Sequence, residues 1–139
     1  MTVSAFPLQW PEGWPRTPYH RRQRSPFKVN AEIARRHLHN QLRLLGARNV
    51  VLSTNVPLRA DGLPYADAMT RRYDDPGVAV YFTLRNKQHA MARDLFLSPQ
   101  HNIRSLGLAI EAMRAIERHG GGLMMERAFA GLEALAAPA

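Results

Sequence analysis

The sequence predicts an α+β domain: a small, mainly antiparallel sheet of about three strands packed by three helices, with an extended Trp/Pro-rich arm at its N-terminus. Three observations carry this. Apolar residues recur at helical spacing over 30–45, 101–119 and 123–136. Short β-branched or alternating runs stand at 48–54 and 78–85. Five of the ten prolines and both tryptophans fall between Phe6 and Lys28, a composition that neither a helix nor a central strand tolerates. Residues 1–29 are therefore expected to form an arm packed on a single domain of residues 30–139. A chain of 139 residues can bury a real core, and 45% apolar with 22% charged residues is ordinary for a globular domain.

Within the arm, Trp10-Pro11 and Trp14-Pro15 repeat one dipeptide. Each proline fixes its own φ and pushes the preceding tryptophan out of the α region. The two rings have two fates: to fold back as a cover over the core, or to stand exposed as a platform for bases or a partner protein. Cover is the favoured one, because an exposed tryptophan pair is a liability. His20-Arg21-Arg22-Gln23-Arg24 follows, with Trp14, Tyr19 and Phe27 flanking the arginines.

Asn30 to Leu45 reads as a helix. Asn30 is a good N-cap, Glu32 sits in the first turn, and Gly46 is placed to end the helix in the left-handed conformation. Ile33, Ala34, His37, Leu38, Gln41, Leu42 and Leu45 form the inner face; Arg35, Arg36, His39 and Arg43 project elsewhere. His37 is expected at the edge of the core rather than as a ligand. Arg48 to Thr54 reads as a strand. Asn55 to Gly77 has no period and carries Asp61-Gly62 as a turn signal; Tyr65, Arg71, Arg72 and Tyr73 are its notable side chains. A loop of this length is often functional. Asp74 and Asp75 precede Pro76-Gly77 and read as turn formers.

Val78 to Arg85 alternates, with Val78, Val80, Phe82 and Leu84 on the apolar side. Asn86-Lys87 is a candidate hairpin turn, and Gln88 to Asp94 returns antiparallel. The strand from Arg48 is expected to pair with the one from Val78. Asp94, near a strand end, is expected to pair with an arginine or cap a turn. A second helix covers about His101 to His119, with Ile103, Leu106, Ile110 and Met113 on one side. Gly120-Gly121-Gly122 breaks it and does not match a phosphate-cradling loop. A last helix runs about Leu123 to Ala136, with Met125, Ala128, Phe129, Leu132 and Leu135 on one face, and Met124 and Met125 as core filler.

The formal net charge is +8 and is unevenly spread: through Ala47 eight Lys/Arg stand against two acids, and from Arg48 onward eleven against nine. A concentrated positive field attracts nucleic acid, acidic proteins or anionic surfaces. The absence of cysteine excludes disulfides and thiolate metal sites and fits a cytoplasmic location. No apolar run is long enough to span a membrane, and no secretory signal pattern opens the chain. The sequence lacks Gly-x-Ser-x-Gly, a Walker loop, His-Glu-x-x-His and a dinucleotide fingerprint. No catalytic residue, metal site or cofactor is therefore assigned. A metal-dependent nuclease would have to gather Asp61, Asp67, Asp74, Asp75 and Asp94.

The stretches FPLQWPEGWPRTP (6–18), LRLLGARNVVLSTNVPLRADGLP (42–64), DPGVAVYFTL (75–84), NIRSLGLAIEAMRAIERHG (102–120) and MMERAF (124–129) together resemble the N-terminal region of J-domain-containing proteins of bacteria and their phages. In that family a J domain with a His-Pro-Asp tripeptide follows. This chain has no such tripeptide, so the chaperone-stimulating role does not carry over. The resemblance implies a recognition module that delivers something to a chaperone, or an accessory protein of a mobile element.

Charge and aromatic placement favour nucleic acid as partner. Arg21, Arg22, Arg24, Lys28, Arg35, Arg36, Arg43, Arg71 and Arg72 are the expected phosphate contacts, with Trp14 and Tyr19 as stacking residues. The alternative is a protein-interaction module serving a partner protein or host chaperone. An unpaired sheet edge would also allow a dimer.

Overall fold

The computed structural model describes residues 3–61, 64 and 72–133. Their element order is a 3-10 turn (Tyr19–Arg21), α1 (Ala31–Leu45), β1 (Arg48–Thr54), β2 (Val78–Leu84), β3 (Lys87–Arg93), α2 (Pro99–Arg118) and α3 (Gly122–Ala130). The strands form one antiparallel sheet in the order β1-β2-β3. The α+β class, the three helices and the β1–β2 pairing are as the sequence predicts.

α1 begins where its cap dictates. The Asn30 side chain accepts from Ile33 N–H at 2.8 Å, and Gly46, at φ 95°, closes the helix in the left-handed region. Ala34, Leu38, Gln41 and Leu42 are buried, but Ile33 is 51% exposed and does not belong to the inner face. Val29 and Ala31 before it and Ala34 after it already pack on the core, so Ile33 is exposed because it lies on a different side of the helix from the Ala34, Leu38 and Leu42 stripe. α2 starts earlier than predicted, because Pro99 suits the first helical position, where no N–H is needed.

α1 and α2 meet closely at Gly107. A Cβ there would lie 2.5 Å from His37 Nδ1. His37 packs into this crossing, with Nε2 3.6 Å from the Glu111 carboxylate. It is thus a core-edge residue, as expected.

The hairpin turn is one residue earlier than predicted. Arg85 and Asn86 occupy it with φ of 51° and 64°, and Leu84 pairs with Lys87. Two consecutive positive φ values match the twist of the flanking strands, and asparagine tolerates the second position. α3 is shorter than predicted within the described residues. Its Met125 and Phe129 are buried, whereas Ala128 and Met124 are exposed, so only one of the two neighbouring methionines fills core. Ile116 likewise lies on the exposed side of α2. Leu135 and Asp67 fall outside the described residues.

The largest departure concerns β2. Alternation predicts one buried face, yet Val78 through Phe82 are all fully buried. Val78, Val80, Phe82 and Leu84 join α1, α2 and α3 in the main core. Ala79 and Tyr81, with Ala90 and Ala92 of β3, form a second cluster covered by Val3, Leu8, Trp10 and Trp14 of the arm. The molecule therefore has three layers: arm, sheet and helices. Complete burial of a side chain such as Phe82 is worth about 1.5–3 kcal/mol, so the arm adds a second apolar interface to the helix layer.

Candidate nucleic-acid interface

The arm is held by polar groups that fix which of its cations face solvent. Leu8 N–H donates to Asn55 Oδ1 at 3.0 Å and Gln9 N–H to Ser53 Oγ at 2.8 Å. Tyr81, inside the sheet, donates its hydroxyl to Gln9 O at 2.6 Å. Burial pushes its pKa up to about 12. Trp10 Nε1–H donates to Trp14 O at 2.8 Å, and the Arg16 guanidinium lies 4.1 Å over the Trp10 ring.

Farther along, the arm is pinned to the end of β3 by a buried ion network. The Asp94 side chain is 4% exposed. It accepts both from Thr17 N–H, at 3.1 and 3.0 Å, and from Arg16 Nε, at 3.1 Å. Arg22, whose side chain is 7% exposed, reaches Asp94 at 3.7 Å and Asp75 at 3.8 Å, and donates to Asp74 O at 3.0 Å. Backbone bonds from Gln23 N–H to Leu95 O and from Leu97 N–H to Gln23 O complete the clasp. Beneath it, buried Asn102 accepts from Phe96 N–H and donates to Pro76 O and Phe96 O.

This geometry sorts the sequence-predicted residues. Trp14 is a half-buried wedge that touches both apolar clusters. Arg22 faces inward, into the ion network. Arg36 pairs with Glu32 at 3.2 Å on the helix surface, and Arg43 donates to Asn40 at 2.8 Å. Arg21, Arg24 and Lys28 are exposed, and Tyr19 stands 77% exposed at the 3-10 turn beside Arg21. Arg35 lies toward β1, in a groove it shares with His39. Desolvation, then the Arg35 charge, holds the His39 pKa below its usual range. Arg72 is exposed; Arg71 and Tyr65 lie outside the described residues.

Sequence reasoning missed Arg16 and Asn102 as organisers. Arg16 stands apart from the arginine run, and Asn102 has no local motif to mark it. Of the carboxylates considered for a metal site, Asp75 and Asp94 sit against arginines and Asp61 pairs with Arg59. No group of three or more His, Asp or Glu placed to hold a metal occurs among the described residues. No helix among them is long and apolar enough to cross a membrane.

No family model, curated protein or solved structure matches this chain.

Proposed function

We propose that the protein binds nucleic acid through the surface running from Tyr19 along the second half of the arm and onto α1. The supporting observation is a charge count resolved by structure. Residues 21–43 hold seven cations and one acid, Glu32. Among the described residues, carboxylates neutralise only Arg22 and Arg36. Arg21, Arg24, Lys28, Arg35 and Arg43 are left with unpaired charge.

Such a set contacts phosphate without reading sequence, and Tyr19 supplies one ring for stacking. The role fits an accessory protein of a bacterial or phage mobile element acting in the cytoplasm. No covalent chemistry is required of it.

The test is fluorescence anisotropy with labelled single- and double-stranded oligonucleotides over a salt series. Five phosphate contacts give a slope of log K against log salt of about −3.5 on single strands or about −4.5 on B-form DNA. The triple variant Arg21→Ala, Arg24→Ala, Lys28→Ala should bring the single-strand slope to about −1.4. Absence of binding at low salt, or a slope that the triple variant leaves unchanged, refutes the proposal. A defined protein partner captured by the same surface after nuclease treatment would move the function to the adaptor class.

A further inference from the structure

A cavity of about 320 Å³ lies between the C-terminal end of α1, the β2–β3 hairpin and α3. Gly120, at φ 85°, turns the chain after α2, and α3 then lies against the hairpin. Leu45, Leu84, Met125 and Phe129 give the cavity an apolar lining. His89, buried in its wall, stacks on Phe82 at 5.6 Å and meets Phe129 edge-on at 5.7 Å. Its Nδ1–H donates to Lys87 O at 3.0 Å, which leaves Nε2 as an acceptor in the neutral ring.

The rim is charged in an unbalanced way. Arg85 pairs with Glu126 at 3.3 Å and Lys87 with Glu133 at 3.1 Å. Glu117, at the end of α2, also lines the cavity, and its carboxylate has no ion pair or hydrogen bond among the described residues. A protein of net charge +8 thus carries an apolar cavity with a surplus carboxylate at its mouth.

We infer that this cavity binds a small amphiphilic cation: an apolar body of a ring or short alkyl chain, ending in an ammonium or guanidinium group that pairs with Glu117. The volume is about twice that of the engineered apolar cavities of about 150 Å³ that hold benzene, which leaves room for a ring plus a short chain. Burial of the apolar body supplies affinity, and the charge-assisted bond to Glu117 supplies the preference for a cation. This site is separate from the basic face and does not depend on it.

The test uses the full chain with ¹³C-methyl methionine, read by NMR. Met125 lines the cavity and Met124 lies outside it, so the two methyl signals are reporter and control. The probes are n-hexylamine, n-hexanol and hexanoate. Hexylamine should shift the Met125 methyl saturably, binding about 5–10-fold more tightly than hexanol, and hexanoate should bind weakest. Glu117→Gln, at an exposed position, should reduce hexylamine to the affinity of hexanol. Ala130→Leu, which narrows the cavity, should abolish the shift. Nα-acetyl-lysine amide separates two sources of the same chemistry. Weaker binding than hexylamine indicates a free amine; equal or tighter binding indicates a lysine side chain of a partner. No saturable shift at Met125, equal binding of hexanoate and hexylamine, unchanged amine preference in Glu117→Gln, or retained binding in Ala130→Leu would each overturn the assignment.

Discussion

Replacing Asp94 with alanine should detach the arm's anchor from β3. The carboxylate is almost wholly buried; it accepts from Thr17 N–H and Arg16 and pairs its charge with Arg22 at 3.7 Å. Its removal leaves the Arg22 guanidinium buried, with Asp75 as its remaining carboxylate at 3.8 Å. Removing one partner of a buried pair costs about 3–5 kcal/mol, mostly because the other charge is stranded. Arg22 keeps its bond to Asp74 O, so a loss near the lower bound, about 3 kcal/mol, is expected. For a chain of this size that lowers Tm by about 10 °C. Urea denaturation followed by tryptophan fluorescence measures it, since Trp10 and Trp14 both lie in the arm. The double variant Arg22→Met with Asp94→Leu should recover at least half of the loss, because it removes the stranded charge. Glu126→Ala, which breaks an exposed pair, should change stability by less than about 1 kcal/mol. A loss below about 1 kcal/mol in Asp94→Ala would show that the network is solvated and that the arm is held by other contacts.

Three further outcomes follow from the same geometry. Gly107→Ala places a methyl group against His37 and should cost about 2 kcal/mol; adding His37→Ala should relieve part of that cost, and additive losses would mean the two residues do not touch. Asn102→Ala removes three buried hydrogen bonds and should destabilise by about 3 kcal/mol in thermal denaturation, whereas a loss under about 1 kcal/mol would mean water replaces them. Tyr81 ionises at about 12 in the fold against 10.0 ordinarily, so its contribution is whole below pH 10 and is lost as pH rises through about 12. Tyrosinate absorbance should show one late-titrating ring that Tyr81→Phe removes, and the variant should also lack this part of the alkaline loss of stability.

The sequence by itself determined the local structure and the charge layout. Asn30 and Gly46 bound α1 through capping chemistry that acts within a few residues. Arg48–Thr54 and the alternation from Val78 mark their strands, and the proline spacing keeps the arm out of regular structure. The excess of cations from Arg21 to Arg43 was equally legible, because charge is a property of composition.

What each cation does was not legible. Arg21, Arg22 and Arg24 look alike in a basic run, yet Arg22 turns inward to Asp94, seventy-two positions away in the chain. Only the folded backbone brings those two groups together. Likewise, alternation in β2 reports which residues share a face but not what covers the second one. The arm covers it: Val3, Leu8, Trp10 and Trp14 pack on the Ala79, Tyr81, Ala90 and Ala92 cluster, which joins distant parts of the chain. The sequence set the elements because their causes are local. The tertiary structure decided the arm's role, the fate of Arg22 and the cavity beneath α3, because those depend on which distant surfaces exclude water together.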